Sequence, residues 1–183
     1  MTPATIIILA AILIWLILIY NGFIRQKNIV KEAWSGIDVQ LKRRYDLIPN
    51  FVDTVKSYST YEKSLLQDIT NLRTKTMQLN TPGEKAGPES ELSGMLKNLF
   101  AVVENYPDLK ANQSYLKLQE QLTEVEDQIQ YARRYYNGAV RDYNTRVESF
   151  PSNIIASLFG FKDAEFFEIT LATEREIPKV GLN

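Results

Sequence analysis

From Ala4 to Ile24 the chain reads ATIIILAAILIWLILIYNGFI, an apolar run without a charged side chain, and Arg25, Lys27 and Lys31 follow it. A bilayer core about 30 Å thick takes about 20 apolar residues in a helix, and this run supplies them with only Thr5, Asn21 and Gly22 as weak interruptions. The pattern predicts a membrane-spanning helix. A cleaved secretory signal fits less well, because Met1 to Thr5 holds no Lys or Arg and the run exceeds the usual apolar length of such signals. Burial in an oligomer core is the other alternative, and detergent dependence separates the two.

Beyond the run, apolar residues recur at alternating intervals of three and four, the period of helices packed at shallow angles. A first segment holds Phe23, Val30, Trp34, Ile37, Leu41 and Ile48, with Lys27 and Arg44 in two slots of the same seam. Pro49 is expected to break it, since proline lacks the amide donor and disfavours helical geometry at the residue before it. A second helix then carries Phe51, Val55, Tyr58, Leu65, Ile69, Leu72 and Leu79, with Glu62 and Thr76 completing its stripe. Asn80 to Pro88 reads as a flexible loop. A third helix is marked by Leu92, Met95, Leu99, Val102 and Tyr106, with Glu89 and Glu91 as acidic residues at its start and Pro107 past its end. The fourth and longest stripe runs Tyr115, Leu118, Leu122, Val125, Ile129, Ala132, Tyr136, Ala139 and Tyr143, then Val147 and Phe150.

Short links make successive helices antiparallel. The expected fold is therefore all-α: an N-terminal transmembrane helix followed by an up-down antiparallel bundle of long helices. Its parts are an anchor over 1–24, the bundle over 25–150, and over 151–183 an apolar C-terminal cap or interfacial segment plus a polar tail. One length conflict follows: a first helix over Phe23–Tyr45 would be about 35 Å long and a fourth over Asn112–Phe150 nearly 60 Å. Either the fourth projects past its neighbours, or part of the apolar run packs against protein.

Charge and composition narrow the chemistry. The 21 basic and 22 acidic side chains leave a net charge of −1, which gives no electrostatic footprint for nucleic acid. Cysteine and histidine are both absent. That removes the disulfide, the thiolate nucleophile, the commonest general base and the softer metal ligands, leaving only carboxylates for catalysis or metal binding. No P-loop, G-x-G-x-x-G or E-x-x-H pair occurs. No enzyme activity, catalytic residue, metal or cofactor is expected. Positive charge on the C-terminal side of the apolar run orients the body toward the cytoplasm and the N-terminus outside.

Two clusters are candidate interaction sites. Asp38, Lys42, Arg43, Arg44, Asp46 and Asn50 surround the expected first turnaround, where they would dock a partner or fix the turn, with Asp46 capping the helix start at Pro49 and Arg44 covering exposed carbonyls. Ile154, Ile155, Leu158, Phe159 and Phe161 form an apolar patch too short to span a bilayer, which would cap the open end of the bundle or lie in the interface. Arg44 and Glu62, in apolar seams, are either paired inside the bundle or carried to solvent by drift of the helix phase. Tyr131, Tyr135, Tyr136 and Tyr143, near Arg133, Arg134, Arg141 and Asn144, read as core packing more than as a stacking site for a ligand. Glu124 and Asp127 share a surface with basic residues and read as solubility.

Two blocks, EAWSGIDVQLKRRYDLIPNFVDTVKSY from Glu32 and ARRYYNGAVRDYNTRVESFPSNIIASLFGF from Ala132, together with the closing FFEI and EREIPKV, resemble the LemA family of bacterial membrane proteins. The resemblance implies a single-pass protein of the bacterial inner (cytoplasmic) membrane with a cytoplasmic body of long antiparallel helices. It carries over no catalytic residue. Relatives implicated in shaping magnetosome membranes, and genes lying near a membrane metalloprotease or a TPM-domain protein, make such a protease or TPM-domain protein possible partners. The expected function is a non-enzymatic membrane-anchored scaffold or adaptor, acting at the lipid bilayer as a homo-oligomer that recruits a protein partner. The alternatives are a membrane-organising homo-oligomer and an accessory subunit of a membrane protease.

Overall fold

The computed structural model describes residues 2–58 and 62–168. Among these, the helices are α1 (Pro3–Lys56), α2 (Lys63–Met77), α3 (Pro82–Val103), α4 (Pro107–Lys110), α5 (Gln113–Glu148) and α6 (Ser152–Phe159), with no strand. The fold class is all-α, as the spacing predicts. The described residues fall into two compact units, one built from those up to 41 and from 128–166 and the other from those within 42–127 and from 167–168. Ile169 and the tail from Glu174 to Asn183 lie outside the described residues.

In the second unit, Pro49 does not break the first helix, which continues to Lys56. Proline at position 49 has no amide to offer the carbonyl four residues earlier, that of Tyr45. Arg73 of α2 supplies the missing donor: its Nε bonds to the Tyr45 oxygen at 2.7 Å. The break falls instead after Lys56, where Tyr58 N–H bonds to the Val55 carbonyl at 3.0 Å, and α2 resumes at Lys63. Glu62 is therefore the residue before a helix start, half-buried, and not a charge in a continuous seam.

Residues 82–88 are helical as well, which corrects the expected loop. Thr81 Oγ accepts from the Glu84 amide at 3.3 Å while the Glu84 carboxylate accepts from the Thr81 amide at 3.1 Å, and Pro82 occupies the first helical position. This capping box satisfies amides that a helix start leaves open. Backbone donation from Thr81, and next from Asn80, holds the Glu84 carboxyl below the usual carboxylate range. With seven more residues of helix, the buried stripe of α3 becomes Lys85, Glu89, Leu92, Leu96, Leu99 and Val103. At the start of α5, Asn112 Oδ1 accepts from the amides of Ser114 and Tyr115. Phe51 of α1 lies 5.4 Å from Phe100 and 5.6 Å from Tyr115, ring centre to ring centre, and because the earlier Arg43 of α1 meets the later Glu124 of α5, the two helices run antiparallel here.

The first unit pairs the beginning of α1 with the end of α5 and with α6. Phe23, Tyr143, Ile155 and Ala156 form its buried cluster, with Leu16, Ile19, Val30, Val147, Phe161 and Ala164 packed around them. Trp34 and Tyr136 meet 5.5 Å apart further along. Helix α6 stops at Gly160, whose φ of 70° is left-handed and suits a residue without a Cβ. Phe161 N–H then bonds to the Ala156 carbonyl at 2.9 Å and Gly160 N–H to that of Ser157 at 3.4 Å, the Schellman closure of a helix.

The length conflict came from ending the first helix at Tyr45. Continuous to Lys56, α1 provides partners both for Tyr115 near the start of α5 and for Tyr143 near its end. Leu16 and Ile19 of the apolar run do pack against protein, whereas Ile6 to Ile14 stay exposed.

Arg73→Met leaves the Tyr45 carbonyl without its donor and should cost about 1–3 kcal/mol. In a Pro49→Ala background the restored amide can serve that carbonyl, so the same change should cost much less. Denaturation of the full chain in detergent, followed by far-UV circular dichroism, measures both. Equal costs in the two backgrounds would refute the substitute-donor account.

Candidate functional site

Of the six polar residues expected at a turnaround, Asp38, Lys42, Arg43, Asp46 and Asn50 lie exposed along α1 while Arg44 is wholly buried. They do not surround a turn. With α1 continuous, no helix start exists at Pro49 for Asp46 to cap, and the open carbonyl nearby is served by Arg73 and not by Arg44. Arg43 reaches Glu124 at 3.2 Å, a pair exposed on both sides and worth little in water.

Arg44 instead organises an interior ion network. Its guanidinium pairs with Glu89 of α3, bonds to Glu126 of α5 at 2.6 Å and donates to Ser93 of α3 at 2.7 Å. Ser93 Oγ in turn donates to the second oxygen of Glu126 at 2.7 Å, and the Tyr45 hydroxyl donates to Glu89. Lys85, also buried, sits one turn before Glu89 on α3. Of the two accounts of a charge in an apolar seam, pairing therefore holds for Arg44. The role of Glu89 is what sequence reasoning missed: it is expected only as an acidic residue at a helix start, yet it lies three before Leu92, in phase with the buried stripe, and pairs with Arg44. The interior charges face each other and so are not presented to a substrate.

The second arrangement is the base of the first unit. Tyr20 of α1 contacts Phe159 at 4.9 Å edge to face and Phe161 at 5.7 Å, and Phe23 stacks on Phe161 at 4.8 Å. Ile155 is buried, so part of the patch caps the core. Ile154, Leu158 and Phe159 remain exposed, as does Phe150 just before α6. The segment after Gly160 is fastened to α5: Asn144 Nδ2 donates to the Ala164 carbonyl at 3.0 Å while its Oδ1 accepts from the Ala164 amide at 2.8 Å, and the Tyr136 hydroxyl donates to the Glu165 carbonyl at 2.7 Å. Tyr136 and Tyr143 are buried and Tyr131 and Tyr135 exposed, so the tyrosine group is split between core and surface.

Burial pushes the Tyr136 hydroxyl up to about 12, with the nearby Glu165 charge adding to the effect. Tyr143 is raised by burial and by Asp163, and Tyr115 by burial and by Glu104. These hydroxyls stay protonated donors through neutral pH. Among the described residues, no group of three or more carboxylates stands close enough together to hold a metal ion.

The helices thus define a class: an all-α protein whose first helix, at a mean hydropathy of 2.6 in its apolar window with none of that window buried, is long and apolar enough to cross a membrane. The family model for the LemA family matches residues 33–181, and the chain belongs to that family. Protein LemA of Metamycoplasma hominis is 29% identical over 93 residues, covering 49% of this chain. The match takes in 42% of that relative's length, so the chain aligns with less than half of it.

Arg44→Met strands two carboxylates and should lower stability by about 3–5 kcal/mol, whereas combining it with Glu89→Leu and Glu126→Leu should recover most of the loss. Thermal unfolding of the full chain in detergent checks this; a triple variant no better than the single one would contradict it. The raised tyrosines favour the protonated form in the folded state, so stability should be intact below pH 10 and fall as pH rises toward 12. Melting temperatures across that range should decline less steeply in Tyr136→Phe, and an identical slope would count against the assignment.

Proposed function

We propose that this protein is a non-enzymatic, membrane-anchored helical scaffold that self-associates and recruits a protein partner. The observation carrying the reading is the exposed apolar length of α1, which belongs to the same unbroken helix as the charged positions Asp38 to Asn50. Ile6 to Ile14 find no cover among the described residues, and lipid is the solvent suited to such a surface. Arg25, Lys27 and Lys31, by the positive-inside rule, support a topology with the helical body in the cytoplasm and the N-terminus outside, as a protein of a bacterial inner membrane would have. Because the strongest ionic groups of the body are paired with one another inside it, work done through binding is favoured over chemistry on a substrate.

The exposed α1 face with Lys42, Arg43, Asp46 and Asn50 is the surface offered to a partner, for which a membrane protease or a TPM-domain protein is the first choice to test. A second reading, a membrane-organising homo-oligomer, is favoured by the additional apolar surface at Ile154 and Leu158.

Purification of the full chain in mild detergent should yield an oligomer or a complex of fixed stoichiometry, measured by mass and by the identity of co-eluting proteins. A lone monomer would overturn both self-association and recruitment. Remodelling of vesicles by the purified protein alone would favour the membrane-organising reading.

A further inference from the structure

Helix α6 has apolar residues on two sides. Ile155 and Ala156 are buried in the core of the first unit, whereas Ile154 and Leu158, one turn apart, are 58% and 75% exposed. A helix that only capped a bundle would turn polar residues outward. The position of α6 along α1 supplies the reason for the difference. Phe159 packs on Tyr20 and Phe161 on Tyr20 and Phe23, the last turn of the apolar run. Headgroups occupy about 5–8 Å on each side of the hydrocarbon core, and at about 1.5 Å per residue Lys27 and Lys31 stand about 5–10 Å beyond Ile24. Aromatic rings at the boundary and cations just past it make the arrangement of a membrane interface.

A groove lies beside α6 at that level. Lys27 and Lys31 of α1, Tyr143 of α5, and Lys162 and Asp163 of the segment after Gly160 line it. Its side chains carry three positive charges against one negative. The Asn144 clamp on Ala164 fixes the segment that brings Lys162 there. A further cation stands nearer the apolar run, since the Arg146 guanidinium lies 5.4 Å from the Phe23 ring, in space left free by Gly22.

We propose that α6 and this groove form a phospholipid-binding foot. The face carrying Ile154 and Leu158 sits among the upper acyl chains, and Lys27, Lys31 and Lys162 hold the phosphates of anionic phospholipids in the leaflet where α1 leaves the bilayer. This rests on the reading of α1 as the membrane anchor. Lipid, and not a free anion, is the ligand because the lysines adjoin an exposed apolar face that an aqueous phosphate would leave uncovered, and because that face is continuous with the spanning helix.

The chain has no cysteine, so single spin labels can be placed without background. Full chains carrying Leu158→Cys, Leu13→Cys or Val39→Cys are labelled and reconstituted in nanodiscs of phosphatidylcholine with phosphatidylglycerol. Their accessibility to oxygen and to a water-soluble nickel chelate reports depth. The Leu13 label should read as deep, the Val39 label as aqueous, and the Leu158 label as interfacial. Leu158 reading as aqueous while Leu13 reads as deep would overturn the foot and leave the anchor standing; Leu13 reading as aqueous would overturn the anchor and the foot with it. The lysines are tested by the lipid composition retained around the protein. Discs formed from an equimolar mixture should be enriched at least twofold in tightly held phosphatidylglycerol by native mass spectrometry. The variant Lys27→Gln, Lys31→Gln, Lys162→Gln should lose that enrichment with its circular dichroism unchanged. Enrichment equal in the two proteins, or absent from both, would refute the headgroup site, as would its loss on adding millimolar inorganic phosphate at constant ionic strength.

Discussion

The carbonyl of Tyr45 is the point on which α1 depends. A proline inside a helix costs about 3 kcal/mol or more through its missing donor and the clash of its ring, and chains commonly meet that cost by ending the helix. Here α1 stays helical past Pro49 because Arg73 reaches across from α2 to the orphaned oxygen. From that follows the position of Phe51, Val52 and Val55, all buried in the second unit and all carried by the stretch of α1 beyond the proline. A helix ended at Pro49 would leave Tyr115 without the Phe51 ring it stacks on.

Next to this carbonyl in sequence, the Arg44 network raises a question of stability against specificity. Desolvating a guanidinium and two carboxylates costs several kcal/mol per ion, which their mutual attraction recovers only when the geometry is good. An apolar replacement of the same volume would hold the helices at least as firmly. What the ions add is selectivity: Arg44 has partners on α3 and α5 at one register only, and sliding either helix by a turn would separate it from Glu89 or Glu126. The Ser93 bridge between Arg44 and Glu126 narrows the choice further, because a hydroxyl must lie within about 3 Å of both.

Periodicity made much of this legible. The stripe of α5 from Tyr115 to Tyr143 is buried or half-buried throughout, because a long helix packed on one side repeats its pattern often enough to be read. The errors cluster at prolines and glycines. Pro49 and the stretch from Pro82 to Pro88 were read by local preference, and in both places a non-local or reciprocal hydrogen bond overrides it: Arg73 for the one, the Thr81–Glu84 box for the other. The second was in reach, since Thr81-Pro82-Gly83-Glu84 has the spacing of a capping box. The first was not, because nothing near Pro49 in sequence announces a donor in α2. Of the candidate sites, the apolar patch is divided by the fold, with Ile155 buried and Ile154 and Leu158 exposed, a division that needed coordinates. The polar cluster was grouped around a turn that does not exist. Only Arg44 among its members has a buried role, with partners whose meaning depends on three helices meeting.

The first unit is assembled from the two ends of the described chain, and this has a consequence for its birth on the ribosome. Phe23 emerges early, yet Tyr143 and Ile155, which enclose it, are made only after residues 42–127 of the second unit have been translated. At about 5–20 residues per second the delay is on the order of 10 s. During that interval the α1 part of the first unit lacks the neighbours that α5 and α6 will supply. The apolar start therefore leaves the ribosome well before its protein partners exist, and the residues that follow it wait for the return of the chain.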